Sequence, residues 1–181
     1  MSWRAIIGGL LVVLAGAIAA VLTVGARLPV GHVAARRMRL SRPPEQVWQA
    51  LTDVEAFPTW RPGVKRVELV DPSGGSPTWR EFGRNGTITF ETVEAERPRR
   101  LVVRIADTGL AFGGDWTYLL EPDGDGCILT VTEHGEVYNI AFRFLSRFVF
   151  GNTATMDAYL RALGARYGEV VTPQPATPTG R

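Results

Sequence analysis

The 181-residue chain has one cysteine, Cys127, and two histidines, His32 and His134. One thiol excludes an internal disulfide, and with only two imidazoles it excludes a thiolate metal cluster. Cys127 reads as a small, buried, unreactive side chain. No nucleophile–base pair, phosphate-cradling loop or metal-ligand spacing occurs, so no cofactor and no metal is expected. Acidic residues are missing from the first 42 positions, which carry Arg4, Arg27, Arg36, Arg37, Arg39 and Arg42. The remainder holds 14 basic against 18 acidic residues, so the net charge of +2 does not describe the body. A nucleic-acid-binding domain carries its basic footprint on the fold itself. Here the excess lies beside a hydrophobic segment, and nucleic-acid binding is not expected.

Charge is also absent from Ala5 to Ala26, AIIGGLLVVLAGAIAAVLTVGA. A helix of that length spans roughly 33 Å, against about 30 Å of bilayer hydrocarbon. Its Gly and Ala content suits a membrane helix. A secretory signal ending at Val24-Gly25-Ala26 is the rival reading. The apolar run exceeds the ~7–15 residues usual for such signals, and the basic residues follow rather than precede it. A retained single-pass anchor within residues 1–28 is therefore preferred. The positive-inside rule then keeps the body cytoplasmic and the short N-terminus outside. The arginines after the span suit anionic head groups, or form the solvated face of a strand.

In the body, His32 to Ser41 alternates as a first strand, with Ala34, Arg36, Met38 and Leu40 in phase. Ser41-Arg42-Pro43-Pro44 opens a helix over residues 45–51, with Val47, Trp48 and Leu51 on one face. A second short helix, Val54 to Phe57, is expected to end at Pro58. Arg61-Pro62-Gly63 then turns the chain. From Val64 the period becomes two for some seventy residues: Val64–Val70, a hairpin across Asn85-Gly86, Arg99–Ala106, Gly113–Glu121 and Cys127–Val137. Short turns between strands imply an antiparallel meander. Asn139 to Tyr167 follows as one amphipathic stretch, with Ala141, Phe142, Leu145, Phe148, Val149, Met156, Tyr159, Leu160, Leu163 and Tyr167 on one face. Arg143, Arg147, Asp157 and Arg161 fall opposite. Residues 170–181, rich in Pro and Thr, form an expected disordered tail. The pattern is α+β, a curved sheet whose apolar face meets a long helix.

The opening S-R-P-P-E-Q-V-W-Q-A-L-T-D with F-P-T-W after it, the strand pair W-T-Y-L-L-E-P-D-G-D-G-C and the closing helix resemble the SRPBCC superfamily. This group holds START-like, polyketide cyclase/dehydrase-like and birch-pollen-allergen-like domains. The resemblance covers about residues 33 to 169 of a domain placed at 29–169. It implies a helix-grip fold, a seven-stranded antiparallel sheet wrapped around the C-terminal helix over an apolar cavity. It also implies a hydrophobic small molecule or lipid as ligand, with cyclisation or dehydration in a minority of members.

The expected cavity wall is Phe90, Val103, Ile105, Trp116, Tyr118, Val131 and Glu133 from the sheet, with Phe148, Asn152 and Met156 from the helix. The alternative is that these side chains simply fill the core. An enzyme would need an acid or base inside. Glu133, in phase with Leu129 and Val131, is the first candidate, or else a hydrated carboxylate at a strand end. Asp107, in phase with Val103 and Ile105, is the second, or else a turn residue. His134 alternates outward. Asn152 either faces a ligand from a continuous helix, or caps a second helix after a break at Gly151. A ligand-free interaction module is the remaining reading and requires an exposed apolar patch.

Overall fold

The computed structural model describes residues 3–70, 75–84, 86–151 and 153–180. Helix α1 (Trp3–Arg27) contains the apolar run and is exposed along nearly all its length. Strand β1 (Gly31–Leu40) leads into α2 (Pro44–Thr52), where Pro44 occupies the first turn and needs no N–H partner. A 3₁₀ turn (Val54–Ala56) and helix α3 (Phe57–Trp60) follow. Pro58 therefore begins a helical turn where the sequence reading has it end one. The missing N–H is harmless at that position because a first-turn donor has no intrahelical acceptor anyway.

Strands β2 (Val64–Val70), β3 (Thr78–Gly83), β4 (Gly86–Glu96), β5 (Arg100–Ile105), β6 (Phe112–Asp123) and β7 (Gly126–Val137) form an antiparallel meander that closes back on β1. Gly83 pairs with Gly86, so the β3–β4 turn sits one residue earlier than the Asn85-Gly86 pattern suggests, and Asn85 lies outside the described residues. The register aligns the inward side chains in rows. Met38, Leu129 and Leu120 make one row, and Arg36, Val131, Tyr118 and Leu101 the next. Ala34, Glu133, Trp116 and Val103 make a third. Toward the β2 edge of the same inner face, Ile105 pairs with Phe90 and Phe90 with Trp79.

The stretch 139–167 is not one helix. Asn139 caps α4 (Ile140–Leu145), its Oδ1 accepting from the Phe142 N–H at 2.9 Å. A π-helical turn (Ser146–Phe150) continues to Gly151, which takes φ 73°, ψ 157°. That backbone is costly for any residue with a Cβ, so the glycine permits the break. Helix α5 (Ala154–Arg166) then starts afresh with Thr153 at its N-cap. Of the two alternatives at this point the interrupted one holds, and Asn152 itself lies outside the described residues. Met156, Tyr159, Leu160 and Leu163, spaced i, i+3, i+4, i+7, bury one face of α5 against Leu40, Leu120 and Leu129. Each such fully buried apolar side chain contributes about 1.5–3 kcal/mol.

The Pro/Thr-rich tail makes specific contacts with the sheet. Gln174–Pro175 adds a short β8 to the edge of β1, opposite Arg36 and Arg37. The Thr179 N–H donates to Thr132 Oγ1 at 3.0 Å. Proline is tolerated on an edge strand, and the tail gives the buried hydroxyl of Thr132, on the sheet's outer face, a partner.

Candidate functional site

An ion pair lies inside the grip. Arg61, in the turn after α3, donates through Nη1 to Glu81 Oε1 at 2.5 Å, and the indole N–H of Trp79 donates to the same oxygen at 3.1 Å. Trp79 and Glu81 are two residues apart on β3 and so share the inner face. Glu81 is buried, and the Arg61 guanidinium sits 4.5 Å from the Phe57 ring centroid and 5.2 Å from that of Tyr159. Burial works against the Arg61 charge, and Glu81 beside it more than restores it. The guanidinium is thus desolvated and packed among rings.

Tyr159 of α5 is the hub of those rings. Its centroid lies 5.5 Å from Trp60, 5.5 Å from Trp116 and 5.9 Å from Tyr118. Burial pushes the Tyr159 phenol up to about 12, with Arg61 partly opposing, and burial raises Tyr118 well beyond the ordinary range. Both remain neutral donors at physiological pH. The Trp60 indole Nε1 is buried beside them with no hydrogen-bond partner. An unmet donor of this kind costs about 1–3 kcal/mol and requires an explanation.

Beyond the first turn of α5 the concave face is less covered. Phe90, Ile105 and Trp116 are half-buried there, as is Glu133, which pairs across the ladder with Trp116. Burial raises the Glu133 carboxyl, and a hydrogen bond from Trp116 offsets part of the shift. Val103, Tyr118, Val131 and Met156 share the inner surface but are buried, so they build the floor and the core rather than an open wall.

Two expected residues stand elsewhere. Phe148 is 58% exposed in the π turn, its ring tilted against that of Phe144 at 4.9 Å, because the break at Gly151 carries residues 140–150 away from the helix that packs on the sheet. Asp107 closes a strand end, its Oδ2 accepting from the Thr89 N–H at 2.5 Å.

Arg36 points inward, paired with Asp157 at 2.9 Å and donating to Thr153 Oγ1 at 3.0 Å, so it ties β1 to the start of α5. It is neither a solvated strand residue nor a head-group contact. His134 faces outward as alternation requires, but it is half-buried with Nδ1 3.1 Å from Asp115 Oδ2. Burial pushes the Cys127 thiol up to about 11, in keeping with an inert core residue. Two surface hollows lie outside the grip. One of about 450 Å³ is bounded by Arg37, Ile128 and Val170, and one of about 750 Å³ by Gln46, Asp53 and Arg166.

Arg61, Glu81 and Trp60 were not singled out by sequence, and Tyr159 was placed only on the apolar face of the helix. Arg61 reads as a turn residue beside Pro62-Gly63. The available signal was Glu81, a carboxylate in phase with Trp79 on β3.

The fold has solved counterparts. The Zhui aromatase/cyclase of Streptomyces sp. R1128 superposes with a TM-score of 0.60 at 16% identity, over 76% of this chain and 94% of that one. A START superfamily protein from Mycobacterium smegmatis gives 0.60 at 18%, over 75% and 96%. The di-domain aromatase/cyclase StfQ of the steffimycin biosynthetic pathway gives 0.61 at 14%, over 77% of this chain, which spans only 52% of that protein. No curated protein sequence matches the chain. Residues 32–168 match the model of the family described as polyketide cyclase/dehydrase and lipid transport. With the helix-grip sheet and the SRPBCC opening motif at Ser41–Asp53, that match makes the chain a member of the polyketide cyclase/dehydrase and lipid transport family of the SRPBCC superfamily.

Proposed function

We propose that the domain binds a hydrophobic small molecule or lipid on the half-covered concave face, over Phe90, Ile105 and Trp116, with Trp60, Arg61 and Tyr159 meeting its polar group. The observation that carries this reading is the buried Trp60 indole N–H without an acceptor. It lies in an aromatic enclosure that also holds the Arg61–Glu81 pair, and a ligand oxygen would satisfy it. Mostly apolar walls with a few convergent polar groups are what a small-molecule site needs. The family description, which names lipid transport, supports the same class of ligand.

Helix α1 has 22 residues long and apolar enough to span a bilayer, Ile6–Arg27, and it is exposed along nearly all of that length, with Gly25 in its last turn buried against α4. On this reading the domain is tethered beside a lipid source on the cytoplasmic side. Native mass spectrometry of the full-length protein, purified in detergent from its own host, tests the ligand. A stoichiometric apolar molecule is expected, and its absence together with failure to take up a fluorescent fatty acid rejects the proposal. Protease added outside intact cells should leave the body intact, and digestion there refutes the topology.

Glu133 favours a second reading, a cyclase or dehydrase. A half-buried carboxyl with raised proton affinity, on the same face as Trp116, is suited to donate a proton to a bound carbonyl or hydroxyl. Unchanged turnover in Glu133→Gln, once a conversion is found, rejects it.

A further inference from the structure

Residues 140–150 leave the sheet, and α4 packs against the end of α1. Gly25, in the last turn of the apolar span, is buried there, and a Cβ added to it would collide with the Ile140 carbonyl oxygen. Arg143 fixes the junction. Its Nη1 donates to the Leu28 carbonyl at 3.0 Å and the Gly25 carbonyl at 3.4 Å, while Nε and Nη2 reach Val137 at 3.0 Å and Tyr138 at 3.2 Å. Two of those acceptors are carbonyls at the C-terminal end of α1, where a cation is favoured. The body is thereby held to the span at a defined height, and α4 lies where the span leaves the hydrocarbon.

The same segment presents Ile140, Leu145, Phe148 and Val149 to the outside, with exposures from 37 to 62%. In a water-facing surface so short a run of exposed apolar side chains would be costly, and about 25 cal/mol per Å² is recovered when it is covered. Arg147 stands among them as a cation for a phosphate. Continuity with α1 names the occupant, since whatever surrounds the span at Gly25 also surrounds α4. We infer that α4 and the π turn form an interfacial membrane element, with Leu145, Phe148 and Val149 in the head-group and upper acyl region. The proposal rests on reading α1 as a retained span. Its consequence is positional: Gly151, three residues before the start of α5, is held at the membrane surface.

The test uses the full-length protein in vesicles of phosphatidylcholine with and without phosphatidylglycerol. Phe148→Cys and Val149→Cys are labelled with an environment-sensitive fluorophore. The buried Cys127 stays unlabelled, and Glu121→Cys on the outer sheet face serves as the aqueous control. Blue-shifted emission at 148 and 149, quenched by lipids spin-labelled near the head group, is expected, with neither effect at 121. Loss of the shift in a protein that still resists carbonate extraction overturns the inference and leaves the span reading intact. Release by carbonate overturns both. A blue shift that lipid spin labels fail to quench overturns it in favour of cover by a second copy.

Discussion

Arg61 and Glu81 meet at 2.5 Å beneath α5, a salt bridge buried among Phe57, Trp79 and Tyr159. Desolvating both charges is expensive, and the pair survives because each partner and the Trp79 indole satisfy the other's hydrogen-bonding capacity. Removing one partner leaves an uncompensated charge. Glu81→Leu should destabilise the protein by about 3–5 kcal/mol, whereas Arg61→Met/Glu81→Leu should recover most of that loss. Urea unfolding in detergent measures both, and equal losses in the single and double variants would show that the pair is not coupled.

Glu133 sets a pH dependence of defined sign. Burial raises its folded pKa above the unfolded value, so the folded state holds its proton more tightly. Its contribution is fully favourable below the unfolded pKa and is lost as pH rises through the raised folded value. Glu133→Gln should therefore match the wild type at acid pH and be more stable at neutral pH. Thermal midpoints across that range give the difference, and a constant offset at every pH contradicts the assignment.

Trp60 carries the polar contact proposed for the ligand. Trp60→Phe keeps a ring against Tyr159 and deletes the unmet N–H. Ligand retained through purification should bind roughly 2- to 10-fold more weakly, the worth of one hydrogen bond of about 0.5–1.5 kcal/mol. Competition with a fluorescent fatty acid reads this, and unaltered affinity would remove Trp60 from the site.

Gly25 and Gly16 differ in what surrounds them. A side chain at Gly25 meets the Ile140 backbone, while Gly16 has nothing within 4 Å. Gly25→Val should lose about 1–3 kcal/mol as α4 is pushed off α1. Gly16→Val should be neutral. Thermal unfolding in detergent compares them, and equal behaviour would mean that the α1–α4 contact carries no stability.

The C-terminal tail contributes to the fold. Ending the chain at Thr172 removes β8 and the Thr179–Thr132 hydrogen bonds, and should cost about 1–3 kcal/mol by leaving the buried Thr132 hydroxyl unpaired. Urea midpoints measure the loss, and an unchanged midpoint would show the tail to be a passenger.

What the sequence by itself determined was whatever local chemistry repeats. An uncharged run of 22 residues read as an apolar helix long enough to span a bilayer, and period-two alternation from Val64 to Val137 placed Phe90, Val103, Ile105, Trp116, Tyr118, Val131 and Glu133 on one face. Alternation survives folding because a strand has just two faces, one of which must meet α5. Tertiary structure decided what periodicity does not encode. The helical wheel ran unbroken through Gly151, but packing of Ile140 and Arg143 on the end of α1 drew the first half of that stretch off the sheet. Phe148 went with it, while Met156 stayed buried. The Arg61–Glu81 pair joins a turn to a strand twenty residues on, and its partners become visible only when the sheet curves around Tyr159. Local pattern assigns faces, and long-range packing assigns neighbours.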